Sequence, residues 1–243
     1  MKHTLPGLAA LLVCANAWAV TPGTHWAYSG NAGPENWAKL TPEFGACQGK
    51  NQSPVDLSGF VEAELTPLRL SYAAGASKVV NNGHTVQVVY EPGSALHLDG
   101  NTYELLQFHF HAPSENRVEG KSYPLEGHLV HADKDGNLAV LALMFEEGAT
   151  NAALSRLWDA PPKAGESRPI APVANATELL PESLDYYRFS GSLTTPPCTE
   201  GVRWLVLKQP VIASGEQIDE LKRAVGHANN RPLQPLNARV VLQ

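Results

Sequence analysis

The chain has 243 residues, 43% of them hydrophobic, and carries 18 basic and 24 acidic side chains for a net charge of −6. A mildly acidic chain without a basic stripe argues against nucleic acid as a partner. Its length is enough to bury one sizeable core.

Residues 1–19 read as a secretory signal peptide. Lys2 and His3 give a basic start, Leu8 to Val13 are apolar, and Ala17-Trp18-Ala19 offers an A-x-A-type cleavage site. The apolar stretch is too short to span a membrane, and no other long apolar run follows. Cys14 follows Val13, a poor fit to lipoprotein processing. The expectation is a soluble domain over 20–243, periplasmic or secreted. That domain keeps only Cys47 and Cys198. In an oxidising compartment an isolated pair reads as a disulfide more readily than as a metal site, two buried free thiols being the alternative.

Taken in order, residues 20 to about 60 are rich in Gly, Pro and aromatics, as in His25-Trp26-Ala27-Tyr28 and Gly33-Pro34-Glu35-Asn36-Trp37. They read as an irregular segment pinned by its rings. Strand patterns follow at Leu68–Tyr72, Lys78–Asn81, Thr85–Tyr90, Ala95–Leu98, Thr102–Ala112, Tyr123–Ala132 and Leu138–Phe145. Gly-, Pro-, Asn- and Asp-rich turns separate many of them, Asp133-Lys134-Asp135-Gly136-Asn137 among them. A short helix is expected over Asn151–Trp158. Further strands are expected at Tyr186–Leu193, Gly201–Leu207 and Val211–Ile212. A second helix is expected over Ser214–Ala228, where Ser214 and Gln217 are spaced as a capping box and Ile218, Leu221 and Val225 form one stripe. Residues 229–236 look irregular and dependent on tertiary packing. Many short strands with few helices predict a mainly β (or α+β) single domain: a large, twisted, mostly antiparallel sheet of about ten strands with short peripheral helices.

The chemistry gathers on two of these strands. In Gln107-Phe108-His109-Phe110-His111, alternation places Gln107, His109 and His111 on one face and Leu106, Phe108 and Phe110 on the other. Two imidazoles on one strand face ask for a shared partner, and a metal ion is the obvious one. The second strand, Glu126-Gly127-His128-Leu129-Val130-His131, offers His128, close enough after a return turn to complete a three-histidine set. His131 falls on the opposite face and reads as structural. Three neutral imidazoles leave zinc one open tetrahedral position, the arrangement of a catalytic site. Gln107 and Glu126 each lie two residues from a candidate ligand and could accept its free ring N–H. Spacing alone also allows both to face solvent.

Several segments occur in one order: Gly33-Pro34-Glu35-Asn36-Trp37, Asn51-Gln52-Ser53-Pro54-Val55, Asn81-Asn82-Gly83-His84, the two histidine strands, and Ser192-Leu193-Thr194-Thr195-Pro196-Pro197. Together, from about His25 to Leu236, they resemble the α-class carbonic anhydrases, specifically the secreted bacterial kind. The resemblance implies zinc-dependent, reversible hydration of CO2 to bicarbonate and a proton, by attack of zinc-bound hydroxide. It implies one zinc per chain on His109, His111 and His128. Thr194 would orient the hydroxide, and Glu115 would fix the Thr194 hydroxyl. His84 would export the proton, for which an imidazole titrating near neutrality is suited. Taken alone, Thr194 and His84 would be turn residues and Glu115 a surface glutamate.

The resemblance further implies a polar half-cavity at Tyr28, Asn82 and Gln87. A substrate pocket would be formed by Thr195 with an apolar wall of Val130, Val140, Leu193, Val202 and Trp204. It implies a Cys47–Cys198 disulfide bracing the Thr194 loop, inhibition by small anions and sulfonamides, and a side esterase activity. The short Ala112-Pro113-Ser114 connection and Asn230, where an aromatic is common, depart from the pattern and leave monomer or homodimer open. Two other readings use the same residues. His109-x-His111-x3-Glu115 also fits a cupin metal motif with Glu115 as a ligand, and the fold could serve as a binding module without activity.

Overall fold

Strands dominate this protein, whose computed structural model describes residues 24–157 and 160–243, and two of the longer ones are buried on both faces. The expected signal peptide and Trp158 lie outside the described residues. The strands are β1 (Asp56–Leu57), β2 (Arg69–Ser71), β3 (Ala74–Asn81), β4 (Val86–Tyr90), β5 (Ala95–Leu98), β6 (Asn101–His111) and β7 (Arg117–Val118). They continue as β8 (Leu125–Ala132), β9 (Leu138–Glu147), β10 (Ser167–Asn175), β11 (Tyr186–Ser192), β12 (Glu200–Leu207) and β13 (Val211–Ala213). Eleven of them form one sheet with the central order β10-β3-β4-β6-β8-β9-β12-β11, while β2 and β5 continue the β4 side of β6 and β13 continues the β12 side of β9. β1 and β7 pair separately.

The sheet is mixed. Its pairs are antiparallel except β9 with β12 and β9 with β13. A parallel pair needs a long crossover, and the chain between β9 and β12 supplies one that includes β10 and β11. Strand β10 has no counterpart among the expected strands. Its Pro169 and Pro172 cannot donate to a ladder, which confines it to the sheet edge, and its register slips between Pro169 and Ala174.

Two further departures have local causes. The last helix, α3, runs only over Gly215–Val225 rather than to Ala228, because Gly226 turns left-handed at φ 81°. Its capping box from Ser214 and Gln217 is formed. On β6, the register shifts between Leu105 and Gln107, which resets the alternation. Leu105 and Tyr103, not Leu106, therefore join Phe108 and Phe110 in the core. The other helices are α1 (Trp37–Leu40), inside the segment expected to be irregular, and α2 (Ala152–Leu157), capped by the Asn151 side chain at 3.0 Å.

Each face of the sheet has its own core. Phe108, Phe110, Leu129, Leu141, Leu143 and Leu205 pack on one side. Val130, Val140, Ala142, Met144, Trp204 and Val206 pack on the other. The histidines share this second side. A third cluster joins Trp26, Trp37 and Phe44 to Cys47 and Cys198.

Candidate metal centre

His109 on β6 stands directly opposite His128 on β8, and His111 lies two residues further along β6. The ring centroids are 5.0 Å apart for His109 and His111, 5.3 Å for His109 and His128, and 4.6 Å for His111 and His128. One nitrogen from each ring lies within 4.8 Å of the other two.

The remaining nitrogens are each anchored. His109 Nδ1 meets Gln107 Oε1 at 2.9 Å, His111 Nδ1 meets the Asn229 carbonyl at 2.7 Å, and His128 Nε2 meets Glu126 Oε1 at 2.8 Å. An amide oxygen, a peptide carbonyl and a carboxylate accept N–H bonds, so each ring keeps its proton outward and a lone pair inward. His111 Nε2 is buried without a hydrogen-bond partner. Burial, with repulsion from the neighbouring rings, holds His109 and His128 well below the ordinary histidine pKa. Burial lowers His111 as well, partly opposed by its bond to Asn229. Three neutral nitrogen donors converging in a buried pocket fit a zinc ion with one position left open.

Glu126 is fully buried and accepts four bonds: from the backbone N–H of Glu115 and of Asn116, from Asn116 Nδ2, and from His128. Burial raises its pKa against those donors. Glu115 is also buried. Its Oε1 accepts the Arg231 N–H at 2.9 Å, while its Oε2 lies 3.5 Å from His111 Nε2. Burial pushes the Glu115 pKa well up, opposed by the Arg231 N–H and by the Thr194 hydroxyl. Thr194 and Glu115, distant in sequence, are thus neighbours here. The loop carrying Thr194 is held by the Leu193 N–H to Thr199 carbonyl bond, by Trp204 Nε1 on the Ser192 carbonyl, and by the Cys47–Cys198 disulfide.

A cavity of about 440 Å³ opens onto His109 and His111. Tyr28, Asn82, His84, Gln87, Gln107 and Thr195 line it. Asn82 Oδ1 accepts the backbone N–H of both His84 and Thr85 at 2.9 Å, fixing the turn that presents His84. The His84 ring lies flat on Trp26, with centroids 3.8 Å apart. Val130, Val140, Val202 and Trp204 belong to one buried apolar cluster with half-buried Leu193 packed against it, and the Trp204 ring meets His128 edge-on, with centroids 4.9 Å apart. Thr195 lines the cavity and is not part of that cluster. His131 is remote from the cluster, bonded to the Tyr72 hydroxyl at 2.7 Å and to the Ala139 carbonyl.

Sequence reasoning missed Asn229, Asn116, Arg231 and Trp26. Asn229 is the most consequential. Besides its carbonyl bond to His111, its side chain accepts from Ala112 N–H and donates to the carbonyls of His84 and Phe110. The only signal was a polar Asn-Asn-Arg run in a segment that had to be held by packing.

Comparison with known proteins agrees with this geometry. The family model for eukaryotic-type carbonic anhydrase matches residues 32–243. A carbonic anhydrase of Pectobacterium carotovorum is 50% identical over 244 residues, covering 100% of each chain. A hyperthermostable carbonic anhydrase from an active hydrothermal vent chimney is 52% identical, with a TM-score of 0.88 over 90% of this chain and 99% of that one. The α-carbonic anhydrase of Thermovibrio ammonificans, solved with sulfanilamide, is 50% identical, with a TM-score of 0.89 over 91% of this chain and 100% of that one.

Proposed function

From the premise that this chain belongs to the eukaryotic-type carbonic anhydrase family and is an enzyme of that class, a lyase, we propose that it hydrates CO2 reversibly at a zinc held by His109, His111 and His128. The observation that carries the proposal is the convergence of three imidazoles whose outer nitrogens are all anchored. Zinc bound there would bring the pKa of a water to about 7 and so supply hydroxide near neutral pH.

The residues around it direct the reaction. Glu115 accepts a hydrogen bond from the Thr194 hydroxyl, so Thr194 Oγ1 would be left to accept from, and orient, the hydroxide that a zinc held there would supply. Val130, Val140, Leu193, Val202 and Trp204 offer an apolar surface on which uncharged CO2 loses little by leaving water. Tyr28, Asn82, Gln87 and Thr195 keep the other half of the cavity polar. His84, half-buried at the cavity wall, receives the proton released in each turnover and passes it outward. The same hydroxide could attack an activated ester. The sulfanilamide complex of the Thermovibrio protein supports inhibition by sulfonamides, and small anions would compete for the position left open on the zinc.

The domain over 20–243 would act in the periplasm or outside the cell after removal of residues 1–19. The disulfide fits an oxidising compartment, and among the described residues no helix is long and apolar enough to cross a membrane. Metal analysis should find one zinc per chain, and stopped-flow CO2 hydration should vanish with a strong chelator and with His109→Ala. Zinc-loaded protein that failed to accelerate hydration above buffer would overturn the proposal.

A further inference from the structure

His227 lies just beyond the cavity rim, exposed and outside every role described above. Its ring centroid is 5.7 Å from that of Tyr28, which is in turn 6.5 Å from that of His84. Its Nε2 is 3.3 Å from the carbonyl of Gly83, the residue before His84, and its Nδ1 is 3.1 Å from the Ala228 carbonyl. A neutral imidazole donates one N–H, so it can satisfy only one of these two carbonyls. Only the doubly protonated ring meets both. The ring is thus open to solvent and tied to the turn that presents His84.

We infer that His227 is the outward station of the proton path, taking the proton from His84 through water and releasing it to solvent buffer. The inference rests on the assignment of His84 as the proton carrier. In the transfer an N–H bond of the His84 imidazolium breaks and an N–H bond on His227 forms, with no net change in charge. Tyr28, His25 and His84 are the titratable groups on the facing segments. Burial lowers the His84 pKa, and repulsion from His227 and His25 lowers it further, which favours handing the proton on.

The test uses the zinc-loaded enzyme at low buffer concentration, where proton export limits turnover. His227→Ala should lower kcat about threefold with kcat/KM unchanged, and added imidazole should restore it. In a His84→Ala background the same substitution should cost nothing further, since the two residues act in series. In metal-free protein, the NMR titration of His84 should move upward when His227 is removed. If His84→Ala lowers kcat but His227→Ala does not, the outward station is wrong and the shuttle stands. An equal penalty in both backgrounds, or an unmoved His84 titration, also overturns it. If His84→Ala itself has no effect, the shuttle assignment fails and this inference with it.

Discussion

The carbonyl oxygen of Asn229 accepts the Nδ1 hydrogen of His111 at 2.7 Å, so a segment without regular structure orients one of the three converging imidazoles. The Asn229 side chain meanwhile ties that segment to Ala112, Phe110 and the turn of His84. The candidate metal centre and the turn that presents His84 thus share one buried asparagine.

Asn229→Ala should keep the carbonyl and lose the side-chain bonds. Leaving the buried Ala112 N–H and the His84 carbonyl short of a partner should cost about 3 kcal/mol of stability. A loosened His111 should weaken zinc about tenfold. Urea denaturation of the metal-free protein and chelator competition measure the two effects; unchanged affinity would show that the backbone alone holds the ring.

Gln107 and Glu126 orient ligands alike but should differ when removed. Gln107 is half-buried and holds His109 alone, so Gln107→Ala should weaken zinc about tenfold with little loss of stability. Glu126→Ala strands four buried donors and should cost about 3–5 kcal/mol before any metal is considered. Equal melting temperatures for the two variants would contradict this.

Acid should destabilise the fold through His131. Burial holds its pKa down at about 4, below the ordinary histidine value of about 6.5. Below pH 6.5 the unfolded chain therefore binds a proton that the folded chain refuses. Stability contributed by the neutral ring is complete above about 6.5, is lost as pH falls toward 4, and levels off below, a change of about 3 kcal/mol. Urea midpoints across that range should slope less in His131→Asn than in the parent. Parallel profiles would assign the acid loss to other groups.

Replacing Cys47 and Cys198 together by serine releases a loop spanning 151 residues. The chain-entropy model puts the loss at about 5 kcal/mol. The Thr194 loop would also lose one of its braces, so CO2 hydration should fall more than zinc content. Calorimetry, metal analysis and stopped-flow assays on one preparation separate these outcomes, and a variant as stable as the parent would remove the disulfide from the account.

Much of the site was legible because it is local. The alternation around His109 and His111 places both on one face whatever the rest of the fold does, and His128 is one return strand away. The β6 bulge displaced Leu106 without disturbing this, since the shift lies before Gln107. The Ser214 capping box was readable for the same reason, whereas the end of its helix depended on Gly226. Strand β10 was illegible because its prolines disguise it, and only pairing with β3 makes it a strand.

By itself, then, the sequence determined the three imidazoles, Gln107 and Glu126 as candidates to anchor two of them, and a β-rich domain, all set by periods of two or by neighbours a few residues apart. Only the tertiary structure decided the parallel pairing of β9, the meeting of Glu115 with Thr194, the stacking of His84 on Trp26, and the Asn229 carbonyl at His111. That last pair is separated by 118 residues. No local pattern encodes such a contact, because a backbone carbonyl is the same in every residue and its position depends on how the whole chain packs.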